Sequence, residues 1–184
     1  MWQLLLILSV LPIAGGLALR WWFGVRMVAG HGGRACRCDA GRWETALGSP
    51  LAPETTAAEF GRQLRLAALA RWKQRDPKQA AARESSRRFG LAVPPLSIML
   101  AVFAALVAKI PPFGAIVIVL LATALAVVFG LLSLGTELRA IATTAKALRD
   151  SHAFPRADDE DAAIECATAH AWLETLPPIL RVLQ

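Results

Sequence analysis

The stretch HGGRACRCD, residues 31–39, places an imidazole, two thiols and a carboxylate within nine positions. Groups of these types can ligate a metal, exchange electrons or decorate a basic loop. A structural zinc site takes four sulfur or nitrogen ligands in a tetrahedron. Cys36 and Cys38 could supply two of them, although their single intervening residue is tighter than the spacing of about two to four usual in zinc knuckles. A second set lies far along the chain, where Cys166, His170 and Glu174 recur every four residues and so share one helix face. Cys36, Cys38, Cys166 and His170 together would complete a Cys3His zinc centre, with His31 and Asp39 as spare ligands. The same stripe suits a packed core equally well, because a free cysteine packs as a small hydrophobe.

Other chemistry is sparse. The three histidines, His31, His152 and His170, form no H-E-x-x-H arrangement, and no G-x-S-x-G elbow or P-loop is present. Ser97, Thr123 and Ser133 are the polar side chains of the two later apolar blocks, which offers nothing for a proton relay or a charged substrate path. The expectation is a protein without catalytic residues, and zinc is its single cofactor candidate.

The elements that must position these groups are apolar. Hydrophobic residues make up 55% of the 184, and charged residues 18%, below the ~25% of ordinary soluble domains. The apolar residues gather at 2–19, 91–108 and 113–135. A membrane span needs about 20 residues at 1.5 Å each, so all three qualify. Lys109 and the turn-forming IPPFG separate the second from the third, which predicts a tight helical hairpin. The first block has no basic residue before Arg20 and is followed by RWWFGVR, so it is expected to stay as an anchor rather than be cleaved as a signal peptide.

Charge sets the expected orientation. Residues 20–89 hold 14 Lys and Arg against six Asp and Glu, whereas 136–184 hold five against eight. Basic residues near membrane ends stay inside, which puts 20–89 and 136–184 in the cytoplasm and the N-terminus outside. Thiols there are kept reduced, so Cys36 and Cys38 are not expected to form a standing disulfide. The pI near 10.0 follows from a basic loop drawn to anionic lipid, and no nucleic-acid-binding motif accompanies it. The expected partners are the lipid bilayer and either another membrane protein or a second copy of the chain, with no nucleic acid.

TAAE at 56–59 is a capping box that starts a helix over 57–75, with Phe60, Leu64, Ala68 and Trp72 as its apolar stripe and arginines on the other faces. Asp76-Pro77 ends it and starts a second basic helix that leads to the membrane. In the tail, Leu138, Ile141, Ala145 and Leu148 form a stripe. Four acids at 158–161 then suit another helix start, and Pro177-Pro178 its end. The basic loop helices are expected to pack on this acidic tail. Ala101 with Ala105, Ala104 with Ala108 and Ala122 with Ala126 are small-residue pairs that would let apolar helices approach closely. The fold expected is all-α with three transmembrane helices: an anchor at 1–25, a basic loop with two amphipathic helices at 26–89, a hairpin at 90–135 and an acidic helical tail at 136–184.

LLSLGTELRAIATTAKALRDSHAF, residues 131–154, resembles the segment that follows the last span in bacterial membrane-bound neutral zinc metallopeptidases. Leu134, Glu137, Leu138, Ala140, Leu148, Asp150, Ser151 and Phe154 match in type at near-identical spacing, and the acidic helix start and Ala-rich helix after them also fit. The resemblance implies a bacterial inner-membrane location. That family carries an H-E-x-x-H helix ahead of the hairpin, where this chain is Arg-rich, so no catalytic residue carries over. The resemblance implies a shortened or accessory relative without the zinc chemistry. Three functions follow as expectations: a non-catalytic scaffold, accessory or regulatory subunit acting through its cytoplasmic helices, that peptidase relative, or a Cys/His metal- or redox-sensing membrane protein.

Overall fold

The computed structural model describes residues 2–51, 56–107, 110–177 and 180. The described residues form α1 (Trp2–Arg20), a π-helical turn (Trp21–Val25), α2 (Arg26–His31), α3 (Ala40–Leu47), α4 (Ala57–Arg75), α5 (Pro77–Val107), α6 (Pro112–Ser151) and α7 (Ala157–Thr175). The β structure among them is one isolated antiparallel bridge, Ala35 to Thr56. The all-α expectation holds. Lys109, Ala108 and Pro178, to which the sequence assigned a hairpin turn, a packing pair and a helix stop, lie outside the described residues.

Three helical runs, Gln3–His31, Pro77–Val107 and Pro112–Ser151, are long and apolar enough to cross a membrane. All three run past the expected bounds: the first continues beyond the anchor's expected end at 25 to His31, and the other two merge with neighbouring helices. The basic helix before the second apolar block and that block itself are one helix, α5, as are the third block and the first tail helix, α6. A lone Gly90 or Gly135 cannot stop a helix, because glycine costs only about 1 kcal/mol relative to alanine. Pro94 and Pro95 sit inside α5, where Ser97 Oγ donates 2.7 Å to the Pro94 carbonyl.

The chain divides into two compact units. Unit 1 comprises residues 1–19, 82–133 and 175–184. Its core is small: Val127, Leu176 and Leu180 are buried, with Ile13, Leu17 and Leu131 against them. Phe89 and Phe129 meet edge to face at 5.3 Å. Gly16 brings α1 against the side chains of Val127 and Leu176, which a Cβ would strike. Most of the remaining apolar surface faces outward: only 17%, 22% and 28% of the most apolar stretches of the three runs are buried.

Unit 2 comprises residues 20–81 and 134–174 and holds a larger core. Trp43, Phe60 and Phe154 form an aromatic trio with centroids 5.4–6.4 Å apart. The predicted stripe of α4 is buried throughout, and Ile141, Ala145 and Leu148 of α6 are buried too. The capping box is present: Thr56 Oγ1 accepts from the Glu59 N–H, and the Thr56 N–H donates 3.0 Å to Glu59 Oε2. Asp76 ends α4 and also caps α5 by accepting from the Gln79 N–H at 3.1 Å.

Of the two basic loop helices expected to pack on the acidic tail, α4 docks on α7, whereas the second is the start of α5 and from residue 82 onward belongs to unit 1. Gly61 lies against Cys166 and Ala167 so closely that a Cβ there would come within 2.6–2.7 Å of their backbone and Cβ atoms.

Candidate functional site

The opening stretch is a structured connection that runs from α2 to α3. The Gly32 N–H closes the last turn of α2 onto the Val28 carbonyl, and the Ala57 N–H bonds the Arg34 carbonyl at 2.9 Å. Arg34 reaches Asp159 at 3.0 Å and Asp158 at 3.6 Å, in the first turn of α7. Asp39, counted in the sequence as a spare ligand, is an N-cap instead. Its Oδ1 accepts from the Gly41 and Arg42 N–H groups and starts α3, a helix the sequence reading missed. His31, the other spare, sits 3.8 Å from Glu165 at the surface.

The four candidate zinc ligands are not gathered at one point. Among the described residues, no three of His, Cys, Asp and Glu stand together so as to hold a metal ion. Cys36 is buried, with its sulfur toward the carbonyls of Arg34 and Asp159. Cys38 is half-buried and turns to the Asp39 carbonyl. Cys166 is fully buried at the α4 crossing. His170 Nε2 lies 3.0 Å from the Ala58 carbonyl. A carbonyl can only accept, so Nε2 carries the proton and Nδ1 keeps the lone pair.

Burial and nearby charge hold these thiols protonated in the metal-free chain, which makes them weak nucleophiles, since it is the thiolate that reacts. Burial, with Asp159 nearby, raises the Cys36 pKa. Burial and the Asp39 charge push Cys38 up to about 12, and burial with Glu165 and Cys36 pushes Cys166 up to about 11. Burial also lowers the His170 pKa, against the pull of its backbone hydrogen bond. The stripe Cys166, His170, Glu174 does share a helix face, as its spacing predicts, and that face meets α4.

The strongest polar constellation is one the sequence concealed. Arg65, placed by pattern on a polar face of α4, is 3% exposed and bridges two glutamates. Its Nε donates to Glu137 Oε1 at 2.6 Å, while Nη1 and Nη2 meet the two oxygens of Glu174 at 2.7 and 3.0 Å. Burial alone would lower the guanidinium pKa, but the hydrogen bonds and charges of Glu174 and Glu137 more than offset it, and the net shift is upward. The signal available in sequence was a single acid, Glu137, directly after an apolar block.

Elsewhere in unit 2 an open cleft of about 630 Å³ is lined by Cys36, Arg37, Arg156 and Asp159. Asp159 is paired with Arg34, and Arg37 and Arg156 of the cleft lining are exposed. Chemically, the unit offers charge-locked helix packing and protonated thiols. Searches of known protein families, curated proteins and solved structures return no match to this chain.

Proposed function

We propose that this chain is a multi-pass membrane protein that acts as a non-catalytic accessory or scaffold subunit, binding a partner through the helices of unit 2. In this reading 20–89 and 136–184 are cytoplasmic and the N-terminus is outside. The observation that carries it is the contrast between the two units. Unit 1 turns most of the surface of three long apolar helices outward, as lipid contact requires. Unit 2 closes a dense core and locks it with a buried ion triad. The charge balance of the flanking segments supports the orientation. Leu66 supports the partner role, since it stands 58% exposed on α4 in a segment otherwise rich in charge.

The test has two parts. The chain should resist extraction from membranes at alkaline pH, and an external thiol reagent should label a cysteine introduced at the exposed Phe113 while sparing one introduced at the exposed Arg37. In mild detergent, the protein mass by light scattering should exceed one 19.8 kDa chain, and Leu66→Glu should reduce it to that of one chain. A monomer before and after the substitution rules out a second copy as the partner, and a Leu66→Glu variant that retains every protein copurifying with the wild type overturns the scaffold role.

A further inference from the structure

We infer that Arg20 forms a binding site for a phosphate oxyanion, supplied by the headgroup of an anionic phospholipid. Five charged side chains are buried among the described residues: Arg20, Arg65, Glu137, Asp159 and Glu160. Four are paired, Arg65 with Glu137, Asp159 with Arg34 and Glu160 with Arg149. Arg20 is the exception. It is 7% exposed, and its Nε and Nη1 are sealed from solvent with no hydrogen-bond partner among the described residues. An uncompensated buried charge costs several kcal/mol, and a guanidinium presents a planar fork of donors that fits a phosphate's oxygens.

The position of Arg20 says which anion reaches it. It closes α1, after an apolar run that holds no charge from Gln3 onward. The next residues, Trp21 and Trp22, are each 52% exposed. Indole rings half in and half out are characteristic of the headgroup level of a bilayer. Arg26 stands over the Trp22 ring, 4.4 Å from its centroid, exposed and available to diffuse lipid attraction. The π-helical turn between the two arginines is also anchored in unit 2, with Phe23 stacked on Trp172 at 5.2 Å and Gly24 against Leu173. A widened turn of this kind often marks a functional site in a helix. The inference rests on the membrane reading above and adds to it a specific lipid contact.

The experiment uses the full chain in an uncharged detergent and follows thermal unfolding by tryptophan fluorescence. The additives are dioleoyl phosphatidylglycerol, dioleoyl phosphatidylcholine and inorganic phosphate, added separately. Phosphatidylglycerol should raise the Tm of the wild type more than phosphatidylcholine does. Arg20→Met keeps the apolar stem and should need about tenfold more phosphatidylglycerol for the same shift, as the loss of a charge-assisted contact implies. Without additive, Arg20→Met should melt no lower than the wild type, because it removes an unpaired charge. Arg26→Gln should respond within about twofold of the wild type. If Arg20→Met does not fold, Arg20→Lys should show a several-fold weaker lipid response, since it keeps the charge and loses the fork. An Arg20-dependent shift with inorganic phosphate alone supports the oxyanion site and identifies a soluble source for it. An equal response to both lipids, a wild-type response in the Arg20 variants, or an equal loss in Arg26→Gln overturns the site. Extraction at alkaline pH separates the two failures: a chain that leaves the membrane refutes the membrane reading, whereas a retained chain with an Arg20-independent response refutes only the site.

Discussion

Replacing Arg65 with methionine tests whether charge holds unit 2 together. The substitution keeps most of the apolar stem and takes from Glu137, whose side chain is 4% exposed, the guanidinium that lies 2.6 Å away. Removing one member of a buried pair costs about 3–5 kcal/mol, which corresponds to a rise of two to three and a half orders of magnitude in the open population, at about 1.4 kcal/mol per tenfold. Cys166 supplies the assay. It is fully buried, so in a Cys36→Ser, Cys38→Ser background its alkylation reports opening of the unit. Arg65→Met should accelerate that reaction by roughly a hundredfold or more. Glu174→Gln should change it by about tenfold or less, because Glu174 is 40% exposed and solvent screens its share. The double variant Arg65→Met, Glu137→Leu should restore much of the protection, since an apolar replacement of a buried pair is often neutral or better. An Arg65→Met effect below tenfold, or a double variant as open as the single, would refute the argument and leave stem packing as the cause.

Three further outcomes are expected. Gly61→Ala should destabilise unit 2 by about 1–3 kcal/mol, because the new methyl meets the backbone of Cys166 and Ala167 rather than a flexible side-chain end; an unchanged melting curve would contradict the close crossing. His152 adopts φ +50° at the end of α6, so His152→Gly should raise stability by about 0.5–1 kcal/mol, detectable as a higher Tm, while His152→Ala should give no gain. The thiols set an alkaline limit. Their folded pKa values are raised above 9.0, to about 11 for Cys166 and about 12 for Cys38, so the folded chain retains protons that the unfolded chain releases. Their contribution is complete below pH 9 and is lost as pH rises from there through about 11–12, so Tm should fall faster above pH 9 in the wild type than in Cys38→Ser. A parallel decline in the two proteins would sink that assignment.

What was legible in sequence was what local pattern encodes. The capping box at Thr56 and Glu59 and the stop at Asp76-Pro77 depend on neighbours within four residues, and both occur as read. The Phe60, Leu64, Ala68, Trp72 stripe is buried because a period near 3.6 leaves no other face for it. The misses have physical causes. Asp39 was counted among ligands because its type suits a metal, but its distance to the amides of Gly41 and Arg42 depends on a turn that composition does not disclose. Arg65 looked solvated because α4 carries arginines on several faces, and its partners lie 72 and 109 positions away. The Cys36, Cys38, Cys166, His170 set had the right types, but its joint geometry depended on a tertiary crossing that brings the cysteine-bearing face of α7 against Gly61.

Unit 2 is discontinuous: its first part, 20–81, is separated from its second, 134–174, by 52 residues that belong to unit 1. This has a consequence for biogenesis. The ribosome delivers Arg65 long before Glu137 and Glu174, and at about 5–20 residues per second the second partner follows roughly 5–20 seconds later. Throughout that interval the half-built unit exposes Phe60, Leu64 and Trp72 together with an unneutralised cation. The apolar segments 91–107 and 113–135 emerge within the same interval, so in the proposed membrane arrangement they would insert before the unit closes. In that arrangement closure of unit 2 would follow insertion, and a chain truncated before residue 174 would lack Glu174 and leave the unit open and protease-sensitive.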